Sequence, residues 1–531
     1  MSGLLTTDDG RRAALFLAIA VMVGLAVVRL PLPVAAGAVA LAAAVLLALI
    51  NPLFGLALAL LVGPLGALEN VVLGSALLDS GQAALLLALA SWIGGGLARR
   101  RLCVPATPFN GPWLLFVAVA ALGLLDAYSI PLGLVELLKW LEMGLIVWLM
   151  LDLADDPTRR PVGRPAVLRL VLAALLLAGL IQALIGVWQF GLRGDGPEHF
   201  LVLGRFYRAY GTFEQPNPFG GYMNLTAFLG AGVALGYAAY LAGVKRKRNT
   251  ELHSSVFLFS DHAIITPTQS RSAHIIWLIF ALLCAGAGTL GLVFSWSRGA
   301  WLGFLAGGAV LLLFSARRVA VGAAVAGVAA VVLGGGLWLG VSAGFGPALS
   351  VADRLSGFGD EFRLGDVRGV DINDANYAVL ERLAHWQAAA DMARDDLWSG
   401  VGFGNYAAAY PDYALINWPD ALGHAHNYYL NLLAEVGAPG LLAYALFWLF
   451  VVGQTVWLAR RLAWPERGVA VGLLAAWAAL AVHHLVDKLY VNNIYIHLGG
   501  MLGLLQLLVW RGFYDVGRVS KPAPTDDICP V

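Results

Sequence analysis

Apolar residues run along this chain in stretches of about 20, the length an α-helix needs to cross a hydrocarbon core. They predict spans at about 13–29, 33–50, 52–68, 80–97, 112–129, 132–152, 167–189, 217–243, 275–295, 298–316, 319–343, 438–458, 468–486 and 492–510. Asn51-Pro52 alone parts the second from the third. From about 344 to 423 the pattern changes to a hydrophilic stretch of domain size. Its start, SGFGDEFRLGDVRGVDIND, is rich in Gly and Asp and reads as loop. From Tyr377 to Arg394 apolar residues recur at helical spacing, which predicts an amphipathic helix. WSGVGFGNYAAAYPDY reads as a Gly-broken turn leading into a short helix, and 251–272 shows no clear periodicity.

Composition turns this pattern into a class. Of 531 residues, 60% are hydrophobic and 13% charged, and mean hydropathy is +0.76. A soluble domain could not bury that much apolar surface, so the expectation is an all-α polytopic membrane protein with about 12–14 transmembrane helices and a large helical outer loop. The net charge of +1 is uninformative, but its placement is not. Arg11-Arg12, Arg99 to Arg101, Arg159-Arg160, Lys245 to Arg248, Arg317-Arg318, Arg460-Arg461 and Arg511 fall on alternate loops. About two-thirds of all Lys and Arg lie on that side, which positive charge marks as cytoplasmic. Both termini are then cytoplasmic, and 344–423 lies outside. The N-terminus, MSGLLTTDDGRR, lacks the features of a cleaved signal, so the first run reads as a retained helix. Cys103, Cys284 and Cys529 are too scattered for a metal site or a disulfide framework. The predicted organisation is N-terminal transmembrane helices (1–200), a transmembrane region bearing arginine motifs (201–343), an outer loop with a histidine motif (344–437), and C-terminal helices with a cytoplasmic tail (438–531).

Four polar places gather on the predicted outer face. In GRFYRAYGTFEQPNPFGGYM (204–223), Arg205 and Arg208 are one helical turn apart or on opposite faces of a strand. Pro216 and Pro218 are expected there to stop regular structure before the next helix. In FSWSRGAWLGF (294–304), Arg298 opens a span, followed by Gly and Ala that allow close approach. Arg382 follows Glu381 in the amphipathic helix, and HAHN carries His424, His426 and Asn427. Plainer readings exist for each: an arginine snorkels to lipid phosphate or sits in a loop, Arg382 pairs within its helix, and a histidine lends interfacial polarity. A zinc site at His-x-His lacks a third ligand at recognisable spacing. Acid–base chemistry remains, because imidazole titrates near neutrality. Within the sixth span Glu136, Lys139 and Glu142 read as an internally compensated ladder or, second, a cavity wall. HHLVDKLYVNN adds His483, His484, Asp487 and Lys488 at the last junction. Arginine forks grip phosphate oxygens, a departing pyrophosphate needs such charge, and a neutral histidine takes a proton from an attacking hydroxyl. The set suits an anionic lipid-linked substrate whose own glycosyl-phosphate bond stores the energy.

Together RAYGTFEQPNPFGGYM, SWSRGAWLGF, ERLAHWQAAADMARDDLWSGVGFGNYAAAY and GHAHNYYLNLLAEVGAPGLL resemble the bacterial O-antigen ligase/polymerase family, in the family's order, over roughly 200–460. The resemblance implies a GT-C-like, inverting, metal-independent glycosyltransferase of the bacterial inner membrane, with no cofactor and no nucleic acid. Its donor would be an undecaprenyl-pyrophosphate-linked glycan, and its acceptor lipid A-core, another glycan repeat or a protein on the periplasmic face. It implies pyrophosphate binding by Arg208 and Arg298, which the reading of charge extends to Arg205 and Arg382. His426, just before Asn427, matches the family's histidine, with His424 a near neighbour able to share its role. Asn427, Glu435, Asp487 and His484 are expected as supports. A polymerase of the same family would lengthen its product instead of moving one preassembled glycan. A lipid-linked glycan transporter would carry polar sites near the bilayer midplane, often in repeated halves, whereas here they gather at one face. A scaffold of an export complex would tolerate replacement of its arginines and histidines.

Overall fold

A computed structural model describes residue 24 and residues 31–74, 78–100, 104–155, 163–202, 204–250, 270–315, 366–373 and 376–516. The expected spans at 13–29 (residue 24 apart) and 319–343 lie outside these residues. In chain order the helices are α1 (Leu32–Ile50), α2 (Pro52–Val62), α3 (Gly66–Leu73), α4 (Ser80–Ala98), α5 (Asn110–Leu122), α6 (Ile130–Asp155), α7 (Arg164–Gly191), α8 (Pro216–Thr250), α9 (Arg271–Phe294), α10 (Arg298–Phe314), α11 (Tyr377–Asp395), α12 (Tyr406–Tyr413), α13 (Tyr428–Arg461), α14 (Glu466–His483) and α15 (Ile494–Val516). Two short antiparallel strands, β1 (Leu201–Val202) and β2 (Phe206–Tyr207), pair Leu201 with Tyr207. Among the described residues, 7 helices are long and apolar enough to cross a membrane. The protein is an all-α, multi-pass membrane protein. A segment in hydrocarbon must satisfy its backbone within itself, and helices do so.

Local signals set many helix starts. Asn51, Asp79, Ser270, Ser297 and Asn427 are N-caps whose side chains accept a first-turn backbone N–H. Three expected boundaries moved. Pro216 and Pro218 do not hold α8 off; they lie in its first turn, where backbone N–H groups have no intrahelical partner to lose. The chain after α5 turns at Gly123 instead of continuing to 129, because Tyr128 and Ser129 donate their N–H groups to Val401 O and Asn405 Oδ1 of the Gly-rich loop. Helix α13 begins at Tyr428, ten residues before the expected span, and breaks at Gly437 (φ +63°, ψ −170°), two residues before Pro439.

Packing of α8 on α14 is backbone to backbone. A Cβ on Gly232 would lie 2.4 Å from Gly468 O and from Gly472 Cα, and one on Gly236 would lie 3.2 Å from Gly468 Cα. Two small-x-x-x-small stripes thus face one another, as membrane helices use for close approach. Helix α6 carries the buried charges. Glu136 receives Lys139 Nζ at 2.6 Å and Lys488 Nζ at 2.9 Å, the second from the α14–α15 loop. The compensation therefore reaches between elements, through Lys488, which spacing within α6 could not include. Trp140, Tyr428, Tyr444 and Tyr490 form an aromatic floor beside it.

Candidate functional site

The histidine motif is a turn. Leu422, Gly423 and His426 all have positive φ (+48°, +84° and +50°). Asn427 follows in an extended conformation and caps α13, its Oδ1 accepting from Tyr429 N at 3.0 Å and Leu430 N at 3.1 Å. Ala425 N donates to Asn431 Oδ1 and Tyr428 N to His484 O, which ties the turn to α13 and to the end of α14. The rings of His424 and His426 still converge, edge to face with centroids 4.6 Å apart.

Asp487 completes the cluster from the α14–α15 loop. Its Oδ1 lies 3.4 Å from His424 Nε2 and accepts the Lys488 N–H, and its Oδ2 lies 4.0 Å from His483 Nε2. Lys488 is anchored on Glu136, so the buried pair in α6 sets the position of the Asp487 carboxylate. Burial alone would raise this carboxyl, but the nearby imidazoles of His483, His424 and His426 together hold it well below the ordinary carboxylate range. Burial, with His424 second, pushes His426 down to about 3 and His385 down to about 4. His424 is lowered by burial as well, against the pull of Asp487.

His424, His426 and Asp487 offer ligand atoms all within 4.8 Å of one another, which supplies the third ligand that spacing in the chain did not reveal. Their hydrogen bonds do not fit a metal, however. The backbone N–H of His426 points at His424 Nδ1, 3.1 Å away, and an N–H can only donate. Nδ1 is therefore the bare nitrogen of neutral His424, and the ring proton sits on Nε2, facing Asp487. A metal on Nε2 would need that proton on Nδ1, against the backbone donor. The arrangement is a carboxylate-oriented imidazole. His426 is the complement: its Nε2 is buried and has no hydrogen-bond partner among the described residues.

The arginine motifs meet at the same end of the bundle. Arg208 Nε donates to Ser295 O at 2.9 Å and Nη2 to Asn217 Oδ1 at 3.2 Å, while Ala209 N donates to Phe294 O. This arginine thereby braces the SWSR turn against the first turn of α8. The start of α10 reaches the histidines: a Cβ on Gly299, next to Arg298, would lie 2.5 Å from Val486 Cγ2 and 3.7 Å from His483 Nε2. Arg382, one turn before His385 and Trp386 on α11, is close enough for its charge to act on His426. Arg205 is not with them. It is exposed at the β1–β2 turn with its guanidinium over Phe206, while the Arg208 side chain turns inward past β2.

Two expected supports have structural places. His484 is fully buried, its Nδ1 3.3 Å from Tyr444 Oη and its ring against Tyr428 and Tyr490. Glu435, also buried, accepts Gly404 N at 3.0 Å and Tyr406 N at 3.2 Å, which pins the GFGNY loop to α13. Two residues escaped the sequence reading. His385 packs edge to face on His426 (5.5 Å) with Nδ1 2.9 Å from Tyr406 Oη, and Trp386 Nε1 donates to His426 O at 3.3 Å. Their one signal is position: they lie three and four residues after Arg382, on its face.

The segment from within α9 to within α13, which holds the SWSR turn, α11 and the histidine turn, matches a known family model over residues 278–445. That model describes the O-antigen ligase family. Members of that family are glycosyltransferase-like enzymes. No curated protein matches the chain. The matched region includes Arg298, Arg382, His385, His424, His426, Asn427 and Glu435. Arg208 and Asp487 come from outside it and reach the site only through the fold.

Proposed function

We propose that this protein transfers a glycan from undecaprenyl pyrophosphate to an acceptor hydroxyl on the periplasmic face of the bacterial inner membrane, lipid A-core being the favoured acceptor. Arg208 and Arg298 hold the pyrophosphate at headgroup level, and Arg382 adds positive charge from α11. The acceptor hydroxyl gives its proton to His426 Nε2 as its oxygen attacks the anomeric carbon. The carbon–oxygen bond to pyrophosphate breaks, its electron pair leaves on the phosphate oxygen, and the guanidinium groups stabilise that charge. A single displacement inverts the anomeric centre. Asp487 and the His426 backbone fix His424, which positions the His426 ring.

The observation that carries this reading is the buried Nε2 of His426, without a hydrogen-bond partner among the described residues, beside an imidazole locked by Asp487. At about 3, His426 is a weak base in this structure. An anionic pyrophosphate beside it raises its basicity, so the base strengthens when the donor is present.

The test incubates purified protein with an undecaprenyl-pyrophosphate glycan and candidate acceptors. One preassembled glycan moved to lipid A-core is the expected product; a ladder of lengthening glycans would mark a polymerase. His426→Ala should bind donor as the parent does while transfer falls by about 10²–10⁴, the usual contribution of a general base. Weak donor binding with normal turnover at saturation would make His426 a phosphate ligand and overturn its role as base.

A further inference from the structure

Beyond the histidines, on the α11 side, the described residues enclose a groove of about 470 Å³. Its apolar wall is Leu383, Trp386, Ala390 and Leu430; Asp366, Arg368, Gln387 and Arg394 supply its polar rim. The rim is pre-assembled. Gln387 Nε2 donates to Asp366 Oδ1 at 3.0 Å, and Val367 N donates back to Gln387 Oε1, so the stretch 366–373 is docked along α11. Arg368 lies 3.4 Å from Asp366 and 4.0 Å from Asp391, and Arg394 pairs with Asp391.

We propose that this groove is the subsite for the sugar that accepts the glycan, a proposal that rests on the glycosyltransferase reading above and adds the place and chemistry of the acceptor. Three observations lead there. The groove is joined to the reacting end: Trp386, in its wall, donates its indole N–H to the backbone carbonyl of His426, and Leu430 lies in the α13 turn capped by Asn427. The arginine motifs are reached by another route, from His424 through Asp487 and His483 to the start of α10. The groove therefore meets the histidines from the Trp386–Arg394 part of α11, whereas Arg208 and Arg298 lead to them through the SWSR turn and the α14–α15 loop; Arg382 stands between the two, as the point where two substrates of one displacement meet. The charges are also balanced in place. Two arginines face two aspartates, so a phosphate would have to pull a guanidinium from its carboxylate, whereas a neutral sugar keeps these pairs and bonds to their outer edges. An apolar wall for sugar C–H faces beside planar amide, carboxylate and guanidinium groups for neighbouring hydroxyls is the composition a hexose or heptose ring requires.

Both lipid A-core and a second glycan repeat would present such a sugar. The test uses Ala390→Trp, which fills the groove, and Arg394→Ala, which trims an exposed side chain and leaves the helix intact. Each should raise the acceptor KM about tenfold, the effect of losing one or two neutral hydrogen bonds or an equal contact area, with donor binding unchanged. An unchanged acceptor KM in both variants, or a loss of donor binding instead, overturns the proposal. Saturation-transfer NMR with deacylated core oligosaccharide and, separately, with the lipid-free repeat oligosaccharide tests the groove without turnover. Signal from either probe that Ala390→Trp abolishes supports the subsite and says which source it takes; no signal from either on the parent protein overturns it. Absence of transfer by the parent protein with every acceptor would instead remove the glycosyltransferase reading, with the binding result standing separately.

Discussion

His426 sits at φ +50°, in the left-handed region that costs a residue with a Cβ roughly 1–2 kcal/mol. The Asn427 cap, the Asn431 and His484 bonds to the turn, and the Trp386 bond to its carbonyl hold it there. The result is an imidazole whose Nε2 is buried and has no hydrogen-bond partner among the described residues. Its protonation couples to stability. His426 and His385 are neutral in the folded chain, at about 3 and about 4, chiefly through burial, whereas an unfolded histidine takes its proton near 6.5. The unfolded state thus binds more protons below that pH, so stability is complete above about 6.5 and falls as pH drops towards 4. In detergent, Tm should be lower at pH 5 than at pH 7.5, with a smaller difference in His426→Gln; equal values for the parent would mean that the imidazoles are solvated. Arginine identity matters at the same scale. Arg298→Lys should lower turnover strongly while expression persists, since an ammonium cannot reproduce a fork on phosphate oxygens. Arg208→Lys should lose stability too, because one ammonium cannot replace the Nε and Nη2 bonds to Ser295 and Asn217 together. Full activity in Arg298→Lys would reduce that arginine to a lipid anchor.

Elements are held at the site by a few backbone exchanges. Val401 N donates to Ala434 O and Ala438 N to Leu397 O, which knits the turn after α11 to the break in α13. Gly400 (φ +65°) and Gly437 (φ +63°) face each other's segments there; a Cβ on either would meet backbone oxygen at 2.5 Å, Ala434 O or Leu397 O. Gly437→Ala should therefore destabilise the protein by about 1–3 kcal/mol, the range for forced backbone strain, and reduce transfer by moving the first turn of α13. A Tm and activity equal to the parent's would show that the break in α13 plays no part in holding the histidine turn. Most of the described helices were legible from apolar periodicity. The break in α13 was not read as part of a helix, because Gly and Pro mark a stop locally and only packing decides whether the chain resumes its course.

Across the whole molecule, charge asymmetry orients the chain. Cysteines placed at 366–423 should react with an impermeant thiol reagent added outside, and cysteines at 245–249 should not, because Lys and Arg mark the inner loops. The reverse pattern would put the histidines in the cytoplasm and end the proposed function. The same scale explains the buried charges: Glu136 with Lys139 and Lys488 joins α6 to the α14–α15 loop, where Asp487 sits. Pairing across elements makes charge tolerable inside a membrane bundle.

An all-α membrane class, the helical runs, the amphipathic α11 and the presence of arginine and histidine motifs follow from sequence alone, because hydrophobic length and helical period are properties of neighbouring residues. His424, His426, Arg208, Arg298 and Arg382 were visible for the same reason: unusual polar residues beside apolar runs are conspicuous. Partnership was not. Asp487 lies 63 positions from His424, Glu136 and Lys488 are further apart still, and His385 and Trp386 look like ordinary residues of an amphipathic helix. Nothing local distinguishes Arg205 from Arg208 either; they part company because one stays over Phe206 while the other finds Ser295 and Asn217. Side-chain direction and burial depend on which helices pack together, and only the tertiary structure decided which titratable groups met, which nitrogen of His424 carries the proton, and which ring nitrogen of His426 has no hydrogen-bond partner among the described residues.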